Sequence, residues 1–182
     1  RGYQSCGWGL GRNMPPNRIT SLAEMNAFQA NLLLRLNRQI DTLFESTQQK
    51  ISLIGWSLGG NYANLLAQSR PDAIRQVITL GTPYGDPRGT SAWKILKCLN
   101  RGKQSDASQN TEAWAHTNNG QREVPTTVIY SPIDGIVSPQ IAKLSTKNTE
   151  NIAVNSSHIG FTANAKVYRI IAEVLARPLH PM

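Results

Sequence analysis

Lys50-Ile51-Ser52-Leu53-Ile54-Gly55-Trp56-Ser57-Leu58-Gly59-Gly60-Asn61-Tyr62-Ala63-Asn64-Leu65-Leu66-Ala67-Gln68 is the stretch that decides the fold. Lys50 to Gly55 is a short apolar run and reads as a buried strand. Ser57 to Gln68 reads as a helix with the small residues Gly60, Ala63 and Ala67 on one face. Between them, Gly55-Trp56-Ser57-Leu58-Gly59 matches G-x-S-x-G in the strand-then-helix context that gives the motif meaning. A serine at so sharp a corner must accept strained backbone, and its hydroxyl then projects clear of the sheet. A Cβ at either flanking glycine is expected to strike neighbouring backbone. The helix start aims amides and its positive dipole end at the same point. The backbone N–H of Leu58 is the expected donor to a developing oxyanion.

Outward from this corner, strand and helix patterns alternate, which predicts a mainly parallel sheet with helices on both faces. Tyr3 to Trp8 reads as a first strand entering the turn Gly9-Leu10-Gly11, so Cys6 is expected as a buried free thiol. Ser21-Leu22-Ala23-Glu24 is a capping-box pattern. Leu22, Met25, Leu32, Leu36, Ile40 and Leu43 then recur at helical spacing, predicting a long helix to about Thr47. Strands are expected at Gln76 to Leu80, Val124 to Tyr130 and Asn151 to Val154, and a last helix at Asn164 to Ala176. The second helix should end at Arg70-Pro71, because a residue before proline avoids the helical region. The chain has 182 residues and reads as one domain over 1–182. Thr82 to Glu123 is too long for an ordinary loop and is expected as a cap or lid insertion. Within it Trp93, Leu96 and Leu99 lie three apart, the spacing of a short amphipathic helix that could meet acyl chains.

A serine hydroxyl needs a base, and histidine is the usual one near neutral pH. Of three histidines, His116 lies in the insertion and His180 in a Pro-flanked tail. His158 follows the last strand, at the carboxyl edge where parallel sheets gather their chemistry. The acid that orients the base is expected after the preceding strand, where Ser131-Pro132-Ile133-Asp134-Gly135 supplies Asp134. Asp86 and Glu150 are weaker alternatives, one in a Gly/Pro-rich turn and the other at the wrong end of its strand.

Four segments carry a family resemblance. Ile54-Gly55-Trp56-Ser57-Leu58-Gly59-Gly60, Leu80-Gly81-Thr82-Pro83-Tyr84-Gly85, Asp134-Gly135-Ile136-Val137 and Ser157-His158-Ile159-Gly160 together resemble the serine esterases and triacylglycerol lipases of the α/β-hydrolase superfamily. The order Ser, Asp, His is also that of the superfamily. The resemblance implies an α/β-hydrolase fold, minimal or N-terminally shortened, with Ser57 as nucleophile, His158 as base and Asp134 orienting it. It implies hydrolysis of short-to-medium acyl esters or lipids, with Trp56, Tyr84 and Trp93 as substrate contacts. Members carry a further strand and Gly-rich loop, upstream of the segment that begins here, for a second oxyanion amide. Gly7 to Gly11 is the expected substitute. Loss of one such donor costs on the order of 10²–10³ in rate. Acyl transfer to an alcohol and a catalytically impaired binding protein are the alternatives.

Lys and Arg number 19 and Asp and Glu 11, but the positive charges are scattered, so no nucleic-acid partner is expected. No metal-ligand spacing or phosphate loop is visible, so no cofactor is expected. No apolar run approaches the roughly 20 residues of a membrane span, and the first residues show no signal-peptide core, so the chain is expected to be soluble. The expected partner is a small-molecule or lipid ester; oligomeric state is not written in these features.

Overall fold

In a computed structural model, residues 2–11, 22–85, 90 and 123–178 are described. Among the described residues, four parallel strands form one sheet in the order β1-β2-β3-β4, which is also chain order. They are β1 (Ile51–Trp56), β2 (Ile74–Leu80), β3 (Thr126–Tyr130) and β4 (Thr149–Ala153). The helices among the described residues are α1 (Leu22–Thr47), α2 (Leu58–Ser69), the short α3 (Pro139–Ala142) and α4 (Ala165–Ala176), with a 3-10 turn at Ile159–Thr162. Central β2 and β3 are buried on both faces, as strands covered by helices on each side must be.

The helical spacing in α1 does what its sequence implies. Leu32, Leu36 and Ile40 are buried against Tyr62, Ala63, Leu66 and Ala67 of α2. The helix stops where Gln48 turns into the left-handed region at φ 54° and donates its N–H to Phe44 O. α2 ends at Ser69, and Arg70 caps it just before Pro71 by donating its N–H to Leu66 O. The Arg70 guanidinium reaches Asp41 of α1 and Asp72, and holds the Asp72 carboxyl below the usual carboxylate range. On the opposite face Val167, Ile170 and Val174 of α4 cover Ile78, Leu80 and Ile129. Asn164 caps α4 by accepting the N–H groups of Lys166 and Val167.

The structure corrects the reading of the first residues. Tyr3 to Trp8 is irregular, not a strand, and Cys6 is exposed rather than buried. A strand lasts only where its backbone is paired. This segment instead lies on helices: the Tyr3 hydroxyl donates to Leu175 O at the end of α4, and Trp8 packs on the α1–α2 core with its ring 6.2 Å from Tyr62. Gly9 lies against Gln39 of α1, so Gly7 to Gly11 is not at a strand's carboxyl end. Among the described residues β1 is paired on one side only. Its Ile54 and Trp56 share register with core residues Ile78 and Leu80, yet remain 48% and 40% exposed. No described helix is long and apolar enough to cross a membrane.

Candidate active site

The corner between β1 and α2 is as strained as its motif requires. Ser57 sits at φ 53°, ψ −125°, a region L-residues seldom enter. Its N–H donates to Leu80 O at 2.8 Å, which pins the corner to the end of β2. The glycines divide unexpectedly. A Cβ on Gly55 would lie 2.5 Å from Gly60 Cα and 2.6 Å from Gly59 O. On Gly60 it would lie 1.9 Å from Thr82 Oγ1. On Gly59 it would meet nothing within 4 Å. The expectation that both flanking glycines are sterically required therefore holds for Gly55 and fails for Gly59. Gly60, one position beyond the motif, is the second required glycine. Leu58 opens α2, where its N–H has no acceptor within the helix.

The structure brings the three expected side chains together. His158 Nε2 is 2.9 Å from Ser57 Oγ, and His158 Nδ1 is 2.9 Å from Asp134 Oδ2 and 3.0 Å from Oδ1. His158 and Asp134 are buried, whereas Ser57 is only partly so. Asp134 is held by its own loop: its Oδ1 accepts the N–H groups of Ile136 at 2.9 Å and Val137 at 2.7 Å. Its carbonyl accepts His158 N–H at 3.0 Å. Ser131 Oγ accepts the N–H groups of Ile133 and Ser156, joining the loop after β3 to the loop after β4.

Two further residues lie against His158. Gly81, at φ 54°, is one. A Cβ there would be 2.8 Å from Phe161 Cε2, 3.0 Å from Asp134 Oδ2 and 3.2 Å from His158 Nδ1. Its only mark in the sequence is the Leu80-Gly81-Thr82-Pro83 turn. Trp56, expected to touch substrate, is partly exposed and donates its indole N–H to His158 O at 3.0 Å, with its ring 5.5 Å from the imidazole.

Tyr84, also expected as a substrate contact, is fully buried with Val128 and Leu144, its hydroxyl 2.7 Å from Thr79 Oγ1. It is a core residue, and its N–H donates to Ile141 O at 2.7 Å. Trp93, Leu96, Leu99, His116, Asp86 and His180 lie outside the described residues, as does most of the 82–123 insertion. Among the described residues no group of three His, Cys, Asp or Glu side chains is placed to hold a metal.

Residues 21–171 match the family described as a PGAP1-like alpha/beta domain. The chain belongs to that family. The match takes in the Ser57 corner, Asp134 and His158. No curated protein matches the chain. Among solved structures, a monoacylglycerol lipase from Paleococcus ferrophilus is 19% identical, with TM-score 0.57 over 79% of this chain and 74% of that one. A lipase from Bacillus licheniformis is 15% identical, with TM-score 0.56 over 77% and 71%. A meta-cleavage product hydrolase from Pseudomonas fluorescens is 12% identical, with TM-score 0.62 over 88% and 74%. At such identities the likeness concerns the fold, and the fold of this PGAP1-like domain is that of α/β hydrolases.

Proposed function

We propose that this PGAP1-like domain is a serine hydrolase that cleaves carboxylic esters through an acyl-enzyme. The observation that carries the reading is Ser57 itself. A non-glycine residue at φ 53° is costly backbone, and its Oγ lies 2.9 Å from an imidazole whose other nitrogen meets a buried carboxylate. A structural serine has no need of such an arrangement.

Asp134 keeps the proton of neutral His158 on Nδ1, so Nε2 presents its lone pair to Ser57 Oγ–H. Ser57 Oγ attacks the ester carbonyl as Nε2 takes its proton. The new imidazolium is stabilised by Asp134 and passes the proton to the departing alkoxide. Water then attacks the acyl carbon, again losing a proton to Nε2, and the acid leaves as Ser57 recovers its hydrogen. The N–H of Leu58 at the start of α2 is aimed at the oxyanion, with the helix dipole behind it. The half-open surroundings of Ser57 favour short-to-medium acyl esters, lipid esters included.

The test is hydrolysis of p-nitrophenyl butyrate by the wild type and by Ser57→Ala. Ser57→Ala should lose nearly all turnover while keeping its fold. Equal rates for the two proteins would end the proposal.

A further inference from the structure

Ser57 and His158 approach each other from distant strands. Among the described strands β1 and β4 lie at opposite ends of the order, three strand spacings or about 14 Å apart. The loop bearing His158 must therefore run back over the rim. Its N-terminal side is tied to the loop after β3, through Ser156 N–H to Ser131 Oγ and His158 N–H to Asp134 O. Among the described residues, two hydrogen bonds tie it to the β1–α2 corner. One is Ser57 Oγ to His158 Nε2, and the other is Trp56 Nε1–H to His158 O.

These two ties behave differently during the proposed reaction. Once Ser57 Oγ carries an acyl group it has no hydrogen to donate, and the lone pair of neutral Nε2 has no partner there. The first tie is then gone. The second involves the main chain and an indole that the chemistry never touches. We infer that Trp56 is a positioning residue for deacylation: its indole N–H keeps His158 against the corner while Ser57 is acylated, so that Nε2 still faces the incoming water. The inference rests on the hydrolase reading.

In that step water oxygen bonds to the acyl carbon, and its proton goes to Nε2. The bond from the acyl carbon to Ser57 Oγ breaks, and the same proton returns to Oγ. Before acylation both ties exist, so loss of the indole bond matters less.

Trp56→Phe keeps an aromatic ring beside the imidazole and removes the donor. Stopped-flow hydrolysis of p-nitrophenyl butyrate separates the burst, which reports acylation, from the steady state that reports deacylation. The deacylation constant should fall about fivefold, which is about 1 kcal/mol. The acylation constant and kcat/KM should stay within about twofold, and acyl-enzyme should accumulate. A merely structural tryptophan would slow both steps alike, and that result, or an unchanged deacylation constant, overturns the inference. Ser57→Ala in the same assay keeps the two readings apart, since turnover retained there sinks the hydrolase reading whatever Trp56→Phe does. Should Trp56→Phe not fold, hydrogen exchange of the Trp56 indole N–H in the wild type decides. Exchange should be slowed in both the free and the phosphonylated protein, and free exchange in the adduct overturns the inference.

Discussion

Gly81→Ala tests how tightly the turn after β2 supports the acid–base pair. Two separable costs follow. Alanine at φ 54° pays about 1–2 kcal/mol for left-handed backbone. The new methyl would also stand 2.8 Å from Phe161, 3.0 Å from Asp134 and 3.2 Å from His158. Relief to an ordinary 3.4 Å contact requires those groups to retreat by 0.6, 0.4 and 0.2 Å. Asp134 cannot retreat freely, because Ile136 and Val137 hold its Oδ1 and His158 N–H holds its carbonyl. The strain therefore falls on the bond between Asp134 and His158. A misplacement of 1 Å costs about 10²-fold in rate, so half of that should cost about tenfold in kcat. Thermal unfolding should fall by about 2–8 °C, at about 2–4 °C per kcal/mol for a domain of this size. A melting curve reads the backbone cost, and kinetics on p-nitrophenyl butyrate at a temperature where the variant is folded read the clash. A variant melting within about 1 °C of wild type and retaining at least half its kcat would refute the reasoning.

Two further outcomes follow from the same geometry. Gly60→Ala should destabilise by about 3 kcal/mol or more, because its methyl meets Thr82 Oγ1 at 1.9 Å. Gly59→Ala should be neutral or gain up to about 1 kcal/mol from helix propensity; denaturant midpoints compare them, and equal losses would contradict the steric account. Asp134→Asn keeps Oδ1 for the amides of Ile136 and Val137, so it should stay folded while kcat drops by on the order of 10⁴. Asp134→Ala strands both amides and should in addition lose about 1–3 kcal/mol for each. Matching melting curves for the two variants would show that the loop does not depend on that oxygen.

Much of this was legible along the chain because it is local. Apolar spacing in α1, the run before Gly55 and the strand–helix corner at Ser57 are carried by neighbours in sequence, and so they read correctly. Strand ends drifted by a residue or two, as with β2, which starts at Ile74 rather than Gln76. What failed depended on distant partners. Tyr3 to Trp8 has strand-like residues but is laid on α1, α2 and α4. Gly59 and Gly60 are adjacent glycines at the end of the motif, and only Thr82, 22 residues beyond Gly60, separates them. Tyr84 is an aromatic residue beside a site segment, which suggests substrate contact, but its burial is a matter of tertiary packing. The bond from Trp56 to His158 O, 102 residues away, is likewise written only in the tertiary structure.

The central claim is that Ser57 is a nucleophile activated by His158. Incubation with a fluorophosphonate ester, followed by mass spectrometry of the digested protein, tests it directly. The account expects a single adduct on the peptide containing Ser57, formed quickly by the wild type and very slowly by His158→Ala. No adduct on Ser57, or one that forms equally fast without His158, would contradict it.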